Sequence, residues 1–201
     1  MRRLADKIAV VVGAGQTPGE TIGNGRASAL RFAQEGATVL CVDRNLASAE
    51  DTVALISDNG GNASALQADI TLETDCEEIT RICIERYQRL DILHNNVGIG
   101  RGDRGVTSMT ESAWDEIFTT NVKGIMLTCK HAVPVMRAQG AGVITNISSV
   151  AAVCAVGLVA YKSSKAALNA YTHALDSQCA LRRACECYLP RVDEYSHGNR
   201  R

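Results

Sequence analysis

Four runs in this chain are almost continuously apolar: residues 8–12, 38–42, 90–93 and 143–147, with a weaker fifth at 63–68. Apolar residues that do not alternate with polar ones suit parallel strands covered on both faces. Between these runs lie segments of helical period at 25–35, 46–58, 72–89, 114–139 and 159–180. Strand alternating with helix implies βαβ units and a doubly wound α/β fold around a parallel sheet. Right-handed crossovers then gather the C-terminal strand ends along one edge, where a ligand crevice is expected. With 46% apolar residues in 201, the chain can bury one sizeable core. Residues 1–175 read as one domain, without repeat or linker, and 176–201 as an atypical tail.

Charge removes several function classes. Lys and Arg number 21 against 22 Asp and Glu, so neither nucleic acid nor a membrane surface is the expected partner. No apolar run approaches the roughly 20 residues of a membrane helix, and the start lacks the long apolar run and small-residue site of a secretion signal. Of the eight cysteines, Cys41, Cys83, Cys129 and Cys154 sit singly in apolar segments, as small buried hydrophobes do. A reducing, cytoplasmic setting is expected.

The first strand runs into Gly13-Ala14-Gly15, and a helix is expected near Gly23-Asn24-Gly25. Glycines there let the backbone turn sharply and approach a pyrophosphate, whose charge favours a helix N-terminus. The second strand ends at Asp43, whose carboxylate can accept both hydroxyls of an adenosine ribose and would repel a 2′-phosphate. NAD is therefore expected, with NADP not excluded because Arg44 follows. Asp69, followed by Ile70, closes the third strand where an adenine edge would lie, and it also suits the N-cap of the next helix.

Tyr161-Lys162-Ser163-Ser164-Lys165 is the most informative stretch. Tyr161 and Lys165, four apart, share one helix face a turn apart. A phenol is a poor base at neutral pH, and a neighbouring ammonium stabilises its phenolate. Asn146-Ile147-Ser148-Ser149 closes the preceding strand, so a serine hydroxyl can meet a substrate oxygen on which charge develops. A glycine turn and an acidic second-strand end also occur in methyltransferases, but there the serine, tyrosine and lysine would have no task.

From about residue 7 to 175 the chain resembles the short-chain dehydrogenase/reductase family. The resemblance rests on the glycine turn, Asn95-Asn96-Val97-Gly98, Asn121-Val122-Lys123-Gly124, the serine pair and Tyr161-x-x-x-Lys165. It implies a Rossmann-like fold and reversible hydride transfer between NAD(H) and a secondary alcohol or ketone. It also implies roles: Tyr161 as acid/base, Ser149 orienting the substrate oxygen, Lys165 binding the nicotinamide ribose, and Asn121 holding a relay water. Asn95 would tie strands together and line the cofactor site beside Gly13, Gly15, Gly23, Gly25, Asp43, Asp69 and Ile70. A homo-oligomer paired through helices 121–139 and 159–180 is implied for the full-length form.

Three features depart from that pattern. Nine residues separate Gly13 from Gly23 where the family usually has three, and 16–21 reads as an extra loop that could wrap the pyrophosphate with added donors. The motif position favours Ser149, whereas counting back from Tyr161 by the usual spacing lands on Ser148. After residue 175 come three cysteines and five arginines in 26 residues, in place of the sixth strand and Pro-Gly turn the family would supply. Read one base later, codons allowed for 178–200 can spell such a segment, and the coding DNA decides that reading. Cys179, Cys185, Cys187 and His197 match no standard zinc spacing, so no metal is expected. Without the last strands, an exposed sheet edge and a substrate pocket lacking a wall are expected.

Overall fold

Successive strand residues point to opposite faces, so a run such as Ala9-Val10-Val11-Val12 needs cover on both. The computed structural model describes residues 2–17, 19, 21–154 and 157–179, the last three through their backbone, and provides that cover. Strands β1 (Ile8–Val12), β2 (Thr38–Asp43), β3 (Asn62–Gln67), β4 (Ile92–Asn95) and β5 (Val143–Asn146) form one parallel sheet in the order β3-β2-β1-β4-β5. The order reverses between β1 and β4, which is where the crevice of a doubly wound sheet opens. Helices α1 (Asn24–Gln34) and α2 (Leu46–Asp58) pack on Ala9 and Val11, burying Ala29, Ala33, Ala49 and Ile56. On the other face, α3 (Glu73–Tyr87), α5 (Ile125–Gln139) and α6 (Ala160–Cys179) bury Ile79, Ile125, Met136 and Leu168 against Val10, Val12, Leu93 and Ile144.

The expected fold holds, with corrections of detail. β4 covers 92–95 rather than 90–93, because Gln139 at the end of α5 takes Leu90 out of the ladder. Its Oε1 accepts the Leu90 N–H and its Nε2 donates to the Leu90 carbonyl, both at 2.8 Å. The strand instead carries two polar residues into the core, His94 and Asn95. Burial pushes the His94 imidazole down to about 4, so the ring is neutral where it meets Phe32 edge-on at 5.4 Å. Asp69 does not cap α3, since Leu72 occupies the cap position. Its Oδ1 accepts from Thr71 N and Oγ1 within a local turn, and Asp75 Oδ2 accepts the Asp69 N–H.

The helix expected over 114–139 begins earlier and is interrupted. α4 (Glu111–Phe118), capped by Thr110, passes into a wide π turn at Thr119–Gly124 before α5 continues. The wide turn swings Asn121 into the interior, and Gly124 lies so close to Ile70 that an added Cβ would sit 2.8 Å from its Cδ1. Such turns recur where a side chain is re-aimed at a functional site. Among the described residues, β5 pairs only with β4, and no helix is long and apolar enough to cross a membrane. The tail from residue 180, with its cysteines and His197, lies outside the described residues, as do the side chain of Cys179 and loop positions Pro18 and Glu20.

Candidate active site

The turn after β1 is built for close backbone contact. Gly13 has φ +79°, a conformation that favours glycine. Gly25, in the first turn of α1, faces it so tightly that a Cβ there would sit 1.8 Å from the Gly13 carbonyl oxygen. Backbone cannot swing aside as a side chain can, so Gly25→Ala should cost about 1–3 kcal/mol or more. A lower urea midpoint checks this, and an unchanged midpoint contradicts it. The N-cap of α1, Gly23, supplies no side-chain acceptor, so the first N–H groups of the helix remain for an anion.

The extra loop is organised by one side chain. Gln16 Nε2 donates to the carbonyls of Thr17 (2.7 Å) and Thr21 (2.9 Å), while its Oε1 accepts the Gly23 N–H at 2.7 Å. Its backbone N–H donates to Ser48 Oγ, which ties residue 16 to the first turn of α2, just after the end of β2. There Gly15 N donates to Asp43 Oδ2 at 3.0 Å and Asn45 N to Asp43 Oδ1 at 3.0 Å, fixing the carboxylate. Beside it an open groove of about 870 Å³ runs between Arg44, Leu46, Gln67, Asp69 and Asp75. Asp69 lines this groove, whereas Asp43 does not, although the residues that follow it, Arg44 and Asn45, do. Ile70 is not on its lining; it is buried against Gly124.

The other end of the crevice holds the expected chemical set. Lys165 is 2% exposed, its ammonium donates to the Ile147 carbonyl at 2.8 Å and lies 6.0 Å from the centroid of the Tyr161 ring. Burial pushes its pKa down to about 8. Asn121 Oδ1 accepts the Ile99 N–H at 2.8 Å, and its amide donates to the Ile99 carbonyl (2.9 Å) and Ser164 Oγ (3.0 Å). Ser164 in turn donates to the Tyr161 carbonyl at 2.8 Å, so Asn121 is tied to the helix bearing the tyrosine. Asn95 is fully buried, bonded to Asn146 at 2.9 Å and to Thr128 at 2.9 Å, which locks the tips of β4 and β5 together.

The two serines separate by environment. Ser148 Oγ turns toward α6, 3.5 Å from the Lys165 carbonyl. Ser149 Oγ accepts the Ala151 N–H at 3.2 Å as the cap of a short 3₁₀ turn, Val150–Ala152. Among the described residues nothing accepts its hydroxyl proton, which is thus available to a substrate oxygen.

Two residues went unrecognised in the sequence. Asp103 accepts the N–H groups of Val159, Ala160 and Tyr161 at 3.0, 3.2 and 2.7 Å, capping α6 from a distant loop. A signal existed: Gly157-Leu158-Val159 offers no capping side chain, so an acceptor had to come from elsewhere. Lys162 donates to the carbonyls of Ala151 and Cys154, fastening the turn after Ser149 to α6.

A parallel sheet with its crevice at the β1/β4 reversal, a glycine turn leading to an uncapped helix start and a carboxylate closing β2 define a dinucleotide-binding α/β domain. The family profile of short chain dehydrogenases matches residues 7–185, past the point where resemblance was expected to end. The chain belongs to the short-chain dehydrogenase/reductase family. It is 36% identical over 170 residues to an uncharacterised oxidoreductase of Thermotoga maritima, covering 84% of this chain and 64% of the relative. It is 32% identical over 176 residues to a 3β-hydroxysteroid dehydrogenase of Mediterraneibacter gnavus, covering 87% and 61%. Its fold is similar to that of a 7α-hydroxysteroid dehydrogenase solved with NADH and 7-oxo glycochenodeoxycholic acid, at TM-score 0.83 and 30% identity over 92% of this chain and 69% of the other. The chain thus spans under two thirds of the length of these two curated relatives.

Proposed function

We propose that this chain is an oxidoreductase that moves a hydride between NAD and a secondary alcohol or ketone, with Tyr161 as acid/base. The observation that carries the reading is the buried Lys165 ammonium, 6.0 Å from the phenol ring centroid. Holding a cation there opposes stability, and a structural role would be met more cheaply by an apolar side chain. The residues fit a dinucleotide: α1 begins without a side-chain cap, Gly13 and Gly25 bring backbone close, and Asp43 stands fixed at the ribose end. When bound, the nicotinamide donates or accepts the hydride.

The chain's own groups handle the proton. In reduction the Tyr161 hydroxyl delivers it to the carbonyl oxygen; in oxidation the phenolate takes it from the alcohol. Lys165 stabilises that phenolate, and Ser149 donates a hydrogen bond to the substrate oxygen. Asn121 spends its amide hydrogens on Ile99 and Ser164, so a relay water would bond its carbonyl oxygens. Val150 and Val153, 69% and 55% exposed beside Ser149, favour an apolar substrate. Ile70, whose side chain packs against Gly124, is assigned to the cofactor site beside Asp69.

The Asp43 carboxylate, held at the end of β2, favours NAD over NADP, whose 2′-phosphate it would repel. NADH should bind at least tenfold more tightly than NADPH, and Asp43→Ser should narrow that ratio, as read by nucleotide fluorescence titration; equal affinities in the parent would contradict the assignment. Buried thiols at Cys41, Cys76 and Cys83 fit a reducing compartment, and we place the protein in the cytoplasm. We take its partners to be a small-molecule alcohol or ketone and, in the full-length form, a second copy paired through α5 and α6. A second reading is favoured by the 61–64% span of the relatives: a fragment that binds NAD but is catalytically impaired. NADH formation from NAD with cyclohexanol, 2-butanol, and 3β- and 7α-hydroxysteroids separates the two. Turnover supports the enzyme, whereas NADH binding without turnover of any of them supports the fragment.

A further inference from the structure

The segment from Val97 to Asp103 follows β4 and touches Lys165, Asn121 and Tyr161 in turn. The Val97 carbonyl accepts from Lys165 Nζ at 3.4 Å, and a Cβ on Gly98 would lie 2.9 Å from that same nitrogen. Ile99 exchanges both backbone groups with Asn121. A Cβ on Gly100 would lie 3.4 Å from Cδ2 of the Tyr161 ring, so the backbone of the segment lies along that ring. The segment then closes on Asp103, whose carboxylate takes the N–H of Val159 and the first two N–H groups of α6, including that of Tyr161 itself.

We propose that Asp103 is the positioning residue for Tyr161: it pins the first turn of α6 to the 97–103 segment and so fixes the phenol relative to Lys165 and the substrate oxygen. The proposal rests on the reading of Tyr161 as acid/base. The helix start has no capping side chain of its own in Gly157-Leu158-Val159, so without Asp103 the turn bearing Tyr161 begins with unpaired N–H groups and frays. A frayed first turn displaces the phenol, and displacements of about 1 Å at reacting atoms lower rates by about 10²-fold. Lys165 lies a turn further on and is held independently by the Ile147 carbonyl, so the nucleotide end of the site is left as it was.

The test compares the parent chain with Asp103→Ala and Asp103→Asn, which keeps an acceptor oxygen. The expected result is a tenfold or greater fall in kcat for Asp103→Ala, with KM and NADH affinity within about twofold, and partial recovery in Asp103→Asn, whose single amide oxygen replaces only one of the two accepting carboxylate oxygens. Amide hydrogen exchange should show lost protection at Val159, Ala160 and Tyr161 with the rest of α6 unchanged. Parental kcat in Asp103→Ala, a loss that tracks weakened NADH binding or global unfolding, or no recovery in Asp103→Asn would each overturn the proposal. A parent chain without turnover refutes the acid/base reading instead. In that case exchange decides the clamp: protection retained in Asp103→Ala overturns it, and protection lost only at those three amides upholds it.

Discussion

Replacing Tyr161 with phenylalanine is expected to lower kcat by about 10²–10⁴-fold while NADH affinity stays within about twofold. The substitution removes one oxygen and leaves the ring, so packing against Gly100 survives and only the proton-carrying atom is lost. Helix α6 keeps its cap, because Asp103 bonds the backbone N–H of residue 161 and not the phenol. Steady-state turnover and nucleotide fluorescence on the same preparation check the two halves. Near-parental kcat would show that another group moves the proton.

Lys165→Met should lower kcat by at least about 10²-fold and also alter the pH dependence of stability in a defined direction. The folded-state pKa of Lys165 is pushed down to about 8 from 10.5 by burial. Because the folded value is the lower one, the unfolded chain binds more protons between about pH 8 and 10.5, and stability rises with pH through that window. Below it the cost of holding the charge is fully present, on the order of 3 kcal/mol. The variant lacks the charge and therefore this rise. Methionine leaves the Ile147 carbonyl without its donor, which costs roughly 1–3 kcal/mol and partly offsets the relief at pH 7. The measurable signature is the difference in urea midpoint between variant and parent, which should shift in the parent's favour from pH 7 to 10.5. Parallel pH profiles would contradict a buried, strained cation.

How much of this was readable in the sequence follows from the range of the interactions involved. β1 and β2 stand where their apolar runs predict, because strands covered on both faces leave a one-dimensional signal. The Tyr161–Lys165 pair was legible for the same reason, since four residues on a helix fix a shared face. β4 slipped by two residues because Leu90 looks like a strand residue, whereas His94 and Asn95 do not. What decides their places is a side chain from another element, Gln139. The π turn at Thr119–Gly124 left no trace in the helical period. It depends on Asn121 finding Ile99 and on Gly124 meeting Ile70, contacts separated in sequence by 22 and 54 positions. Asp103 bonds across 56 to 58 positions, and only the missing local cap hinted at it.

The sheet order, the uncapped start of α1 and the Lys165–Tyr161 neighbourhood support the proposed crevice, in which adenosine lies toward Asp43 and the nicotinamide meets the alcohol beside the phenol. The most direct measurement is the fate of the hydride. With NADH carrying deuterium at the transferred position and cyclohexanone or a 3-oxosteroid as acceptor, the parent chain should give an alcohol labelled at the carbinol carbon, and Tyr161→Phe should give almost none. Unlabelled alcohol, or equal labelled product from both proteins, would contradict the account.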